Sequence, residues 1–165
     1  MATPDRTTTA KRRKHPVGRD GLISWSDTHA AAWIGLLETH KRLTRALEAE
    51  LEAEHELSIS GLELLSRLAR AEGRMLRLTT LADAAGLSLS RVSRILDMLE
   101  RRGLVVRRAN AVDTRAKNAC LTDEGLELLR AALKTHFDGV ERLFFDRVRE
   151  KDVETLARVF ERFRD

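Results

Sequence analysis

Ser88, Ser90, Arg91, Ser93 and Arg94 set three hydroxyls and two guanidinium groups within seven residues, with no carboxylate among them. A guanidinium donates two parallel hydrogen bonds to a guanine edge or neutralises a phosphate, and a hydroxyl reaches either. Arg107 and Arg108 precede a polar loop containing Asn110 and Asp113, and Arg115 and Lys117 follow it. A turn there projects four cations on a narrow support, with Arg115 placed to enter a minor groove, where negative potential is focused. Asp113 is expected to hold Arg115 or a neighbouring arginine by charge-assisted hydrogen bonding, because a carboxylate beside phosphates is otherwise unfavourable.

This is chemistry for holding a polyanion. The five histidines are scattered, no nucleophile motif or Gly-rich phosphate loop is present, and the acids are accounted for by caps and solvated faces, so no enzyme is expected. Glu52 and His55 have Glu-x-x-His spacing, and His29 and His40 share a helical face, but no Cys-His set completes a metal site. No cofactor is implied. Cys120 is the single cysteine, which excludes an intrachain disulfide and suits a small strand residue in a reducing compartment. No apolar run of about 18 residues spans a bilayer, and the basic, polar start has no signal-peptide core, so a soluble, cytoplasmic protein without a membrane partner is expected.

The elements that position these residues follow from caps and periodicity. Residues 1 to 20, with Lys11, Arg12, Arg13 and Lys14, read as a flexible basic arm, either a solvated tail or an added DNA contact. Ser24 with Asp27 marks a helix start, and Trp33, Leu36, Leu37, Leu43, Leu47 and Leu51 carry that helix to about Glu56. Ser60 and Glu63 form a capping box for a second helix to about Arg70, with Ile59 and Leu64 as its staple. A short strand over 75–78 leads to a third helix capped by Thr79 or Thr80 and stopped at Gly86. Ser88 caps a fourth helix that buries Val92, Ile95, Leu96 and Leu99 and ends at Gly103. Two short strands over 104–108 and 117–121 follow. Thr122 opens a fifth helix towards Phe144, with Gly139 a candidate bend, and Val153 to Phe163 define a sixth.

Net charge divides unevenly: +4 over residues 1–20, −4 over 21–73, +6 over 74–122 and −2 over 123–165. The basic island of the folded body thus coincides with the Ser/Arg helix and the hairpin, as a phosphate-facing surface requires. Aromatics lie only at the two ends: Trp25 and Trp33, then Phe137, Phe144, Phe145, Phe160 and Phe163. Modules for RNA or single strands stack bases on aromatics, and the central segment has none, which turns the reading to duplex DNA. The basic Arg91, Arg94 and Arg115 set likewise argues against a winged helix used only for protein contact. The terminal helices, 24–73 and 123–165, are expected to form a dimer lobe, because the first helix carries more apolar stripe than a small monomer covers.

Three segments resemble the multiple-antibiotic-resistance regulator (MarR) family. They are Ser90-Arg91-Val92-Ser93-Arg94 leading to Leu99-Glu100-Arg101-Arg102-Gly103-Leu104-Val105, then Asp113-Thr114-Arg115, and then Leu121-Thr122-Asp123-Glu124-Gly125. The resemblance spans roughly residues 24–164. It implies a mainly α fold with a small β-wing: a winged helix-turn-helix lobe over 74–122 within a single domain over 21–165, flanked by dimerisation helices. It further implies a homodimer on double-stranded DNA at a pseudo-palindromic operator, with half-sites about 34–36 Å apart. Such regulators usually repress, and many are released by a small phenolic or other aromatic effector. Trp25, His29, Trp33, His40 and Arg67 are the candidate effector residues, with a dimer-core or hydrogen-bonded role as their ordinary alternative. A DNA-binding regulator or architectural protein with no such ligand is the alternative function. The Trp-plus-acid pairing of the urate-responsive branch is not carried over, because Glu63 is read as a cap.

Overall fold

The computed structural model describes residues 16–17, 19–25, 27–109 and 117–164. It divides into two compact units, residues 1–42 and 43–165. Among the described residues, six α-helices and three strands follow in the order α1 (Asp27–His55), α2 (Ile59–Arg70), β1 (Met75–Arg77), α3 (Leu78–Ala85), α4 (Leu89–Arg101), β2 (Val105–Ala109), β3 (Lys117–Leu121), α5 (Asp123–Leu143) and α6 (Glu150–Glu161). The fold is mainly helical with a small antiparallel sheet, as a winged helix requires.

In the first unit, Val17 and Ile23 pair across a turn closed by Ser24 N donating to Pro16 O at 2.8 Å. This turn begins at Pro16, ahead of the expected arm boundary at residue 20. Residues 1–15 lie outside the described residues. α1 starts at Asp27, so Ser24 belongs to the turn and is not the cap.

In the second unit the last turns of α1 lead into α2. The α2 cap is Ser58, whose Oγ accepts from Gly61 N at 3.0 Å, while Glu48 Oε2 accepts from Ile59 N at 3.0 Å. The expected Ser60–Glu63 box is corrected: burying Leu57 completely starts the helix two residues earlier. Glu63 is held by Arg67 instead. α3 likewise begins at Leu78 with no side-chain cap, ahead of Thr79 and Thr80. Gly86 (φ +63°) and Gly103 (φ +73°) take the left-handed conformation that ends α3 and α4.

The sheet order is β1-β3-β2, with Met75 opposite Cys120 and Val106 opposite the same residue on the other edge. Cys120 is buried at the centre of this sheet. The core is wholly aliphatic among the described residues: Leu51, Leu57, Leu64, Leu65 and Leu68 meet Leu81, Val92, Leu96 and Leu99, and Val105 closes it from the sheet. Each such side chain, fully buried, contributes about 1.5–3 kcal/mol.

Thr122 joins the wing to α5. Its Oγ1 accepts from Gly125 N at 3.0 Å, and its hydroxyl hydrogen lies towards Gly103 O (2.8 Å) and Leu104 O (3.0 Å). The close approach explains Gly125 in the Leu-Thr-Asp-Glu-Gly run, because a Cβ there would sit 2.1 Å from Leu104 O. Gly139, the candidate bend, lies inside the single helix α5 and is a second contact point, where a Cβ would lie 2.7 Å from Leu47 Cδ2. Gly125→Ala is expected to cost about 2–3 kcal/mol in urea unfolding, since the obstruction is backbone. A loss under about 0.5 kcal/mol would show that the Leu104 contact is not tight.

Candidate nucleic-acid interface

α4 is strongly amphipathic, and burying Val92, Leu96 and Leu99 turns Ser90, Arg91 and Arg94 outward. Ser88 caps the helix: its Oγ accepts from Arg91 N at 3.3 Å and lies 3.2 Å from Ser90 Oγ. Arg91 Nη2 donates to Ser60 Oγ at 3.2 Å, which draws the first turn of α2 into the same exposed patch. Arg94 makes no ion pair with any described carboxylate. Ser93 is half-buried, and its backbone carbonyl is engaged by the wing.

That engagement changes the role expected for Arg107. Strand alternation sends Arg107 to the same side as Val105, towards α4, and Arg108 to the other. Arg107 Nη1 donates to Asp97 Oδ1 at 2.6 Å and Nη2 to Ser93 O at 2.8 Å, with Glu100 Oε2 3.8 Å from its Nε. Its backbone N donates to Glu100 Oε1 at 2.8 Å. Its side chain is 16% exposed. Arg107 therefore ties β2 to α4, while Arg108 and Lys117 remain exposed without a described carboxylate partner. Asp113 and Arg115 lie outside the described residues.

Two residues of this surface are not picked out by the sequence. Leu89, 48% exposed, sits within the basic patch, although an apolar residue in a helix is normally assigned to the core. Ser60 reads from the sequence as a cap; Arg102, at the other end of α4, reads only as part of a motif. For Arg107, the alternation of 105 and 107 against 106 and 108, with Asp97 and Glu100 three apart on α4, was the available signal.

The effector candidates are divided between the two units, Trp25, His29, Trp33 and His40 in the first and Arg67 in the second. Trp25 and Trp33 meet edge to face with centroids 6.0 Å apart, beside an apolar hollow of 370 Å³ lined by Ile23, Ser24, Trp25, Ala30 and Ile34. His29 and His40 are exposed on α1. Arg67, in the other unit, is bound to Glu63 through Nη2 at 2.7 Å and Nε at 3.1 Å. Among the described residues no group of three metal-ligating side chains converges. No described helix is long and apolar enough to cross a membrane.

A capped helix with an outward Ser/Arg face, pinned to a three-stranded sheet, defines a winged helix-turn-helix protein. The IclR helix-turn-helix domain family matches residues 61–109. Among solved structures, the MarR family transcriptional regulator Sco3205 of Streptomyces coelicolor, in complex with DNA, is 30% identical with a TM-score of 0.77, covering 85% of this chain and 88% of its own. AbsC, a MarR family transcriptional regulator from the same organism, is 32% identical with a TM-score of 0.78, covering 86% and 95%. A MarR family regulator from Rhodococcus sp. RHA1 shares the fold at 23% identity and a TM-score of 0.70, covering 84% and 94%. No curated protein sequence matches. The chain belongs to the MarR family of transcriptional regulators, which are not enzymes.

The tied and the exposed arginine of β2 should separate in stability. Arg107→Ala is expected to cost about 1.5–3 kcal/mol in urea unfolding, as loss of charged hydrogen bonds does, and Arg108→Ala less than about 0.5 kcal/mol. Equal losses would remove the distinction.

Proposed function

We propose that this chain is a homodimeric, sequence-specific regulator of transcription that binds double-stranded DNA, with the N-terminal half of α4 in the major groove. The observation that carries the reading is the exposed start of α4, where Ser90, Arg91 and Arg94 stand clear of carboxylates on a helix whose other face is fully buried. The relative Sco3205, solved with DNA, supports it. Arg91 and Ser90 read base edges, and Arg94 and Ser88 meet the backbone. Leu89 suits the 5-methyl group of thymine, the apolar feature of that groove. Ser93 supports the patch from its edge, Arg108 and Lys117 add phosphate contacts, and Arg115 with Asp113 extends the wing towards the minor groove. Arg107 serves by holding the wing in place.

Dimerisation is supported by apolar side chains left exposed on two elements: Trp33, Ile34, Leu36 and Leu37 on α1, and Val159 and Phe160 on α6 with Phe163 beyond it. Repression is the proposed sign of regulation, with release by a small aromatic effector. The hollow beside Trp25, whose lining offers Ser24 as its polar side chain, has the chemistry for such a molecule.

Gel shifts on duplexes selected by the protein from a random pool test the assignment. Arg91→Ala is expected to weaken binding by about 5- to 150-fold and relax preference at one base pair. Arg94→Ala should weaken all duplexes alike and reduce the salt slope by about 1. Two variants that bind as the parent does would refute this placement of α4.

A further inference from the structure

We propose that Arg102 is a positioning residue that fixes the angle of α4 against the end of α1, and thereby the half-site spacing that the dimer accepts. The inference rests on the reading of a dimer bound to duplex DNA.

α1 ends in an unusual way. Glu56 takes a left-handed conformation, φ +50°, which costs a non-glycine residue about 1–2 kcal/mol. The turn lets Leu57 fold back into the core, its N donating to Leu51 O at 3.3 Å, and it leaves the carbonyls of His55 and Glu56 pointing together. Arg102 occupies that point. Its Nη1 donates to Glu56 O at 2.5 Å and its Nη2 to His55 O at 2.9 Å. The Glu56 carboxylate, 82% exposed and 3.8 Å away, adds little.

Arg102 is also the C-cap residue of α4, immediately before the left-handed Gly103. The C-terminal end of α1, which carries partial negative charge, therefore receives its guanidinium from the residue that ends α4. The end of α1 is braced from a third side: His55 Nε2 lies 2.8 Å from Thr135 Oγ1 on α5, and Thr135 Oγ1 donates to Glu54 Oε2 at 2.9 Å. The leucines of the core set how deeply α4 sits, but aliphatic packing accommodates small rotations that a two-point fork does not.

The lever is long enough to matter. The reading residues lie at the opposite end of α4, about 15–18 Å from Arg102 at 1.5 Å per residue. A tilt of about 10° about the Arg102 end moves them by about 3 Å, close to the ~3.4 Å rise of one base pair. A single half-site can follow such a tilt, because the protein shifts on the DNA. Two half-sites read at once cannot.

The test uses the full chain and a two-fold duplex selected by the parent from a random pool. Fluorescence anisotropy compares that duplex with versions carrying one base pair more or fewer between half-sites, and with one half-site alone. Thermal unfolding runs in parallel. Arg102→Ala is expected to stay within about 2-fold of the parent on the half-site, to lose about ten-fold on the selected duplex, and to be less penalised than the parent by altered spacing. Arg102→Lys keeps a positive charge at the end of α1 without the fork, so it should unfold near the parental temperature and still show the flattened spacing profile. A parental profile for Arg102→Lys overturns the proposal, as does a loss in Arg102→Ala that is equal on every duplex. If the parent selects no two-fold duplex, the dimeric reading falls and this inference with it. If it selects one and the Arg102→Lys profile is parental, only the inference falls.

Discussion

Everything on the proposed DNA-facing side depends on α4 burying one face and only one. Val92, Leu96 and Leu99 are fully enclosed by aliphatic side chains from α1, α2 and α3, and this burial outweighs any single polar contact on the helix. Rotating α4 to hide Arg91 or Arg94 would expose those three and desolvate a guanidinium, so the Ser/Arg face must point outward. An aliphatic core also suits the segment, because leucines fill a small space between three short helices and a sheet without large rings.

Burial orients α4 but does not finish positioning it, and polar contacts do the rest. Arg107 fastens the wing to the middle of α4 through Asp97 and the Ser93 carbonyl, and Thr122 with Gly125 fastens the other side of the hairpin to α5. Arg102 fastens the far end of α4 to α1, and Glu48 ties the start of α2 to the same helix. The cations of the basic island thus fall into two kinds. Arg102 and Arg107 are spent on the fold, whereas Arg91, Arg94, Arg108 and Lys117 remain exposed. Net charge alone cannot make this division, because it counts both kinds equally.

Much of this was legible in the sequence. Ser88, Gly86 and Gly103 bracket α4 because a hydroxyl cap and left-handed glycines are local requirements, and Thr122 opens α5 for the same reason. The two β2 and β3 strands and the outward Ser90, Arg91 and Arg94 followed from periodicity. What failed was decided by contacts between distant segments. Ser58 rather than Ser60 caps α2 because Leu57 is pulled into the core, and either serine satisfies the local rule. Arg107 looked like a phosphate contact because its carboxylate partners lie on another element. Arg102 could not be assigned at all, since its acceptors are backbone carbonyls of a helix 46 residues earlier.

The start of α4 is proposed to read base edges in two successive major grooves. Methylation interference on a duplex selected by the protein tests it most directly, because guanine N7 lies in the major groove and adenine N3 in the minor groove. Interference at guanine N7 is expected in two tracts about one helical turn apart. Interference confined to adenine N3, or to a single tract, would contradict it.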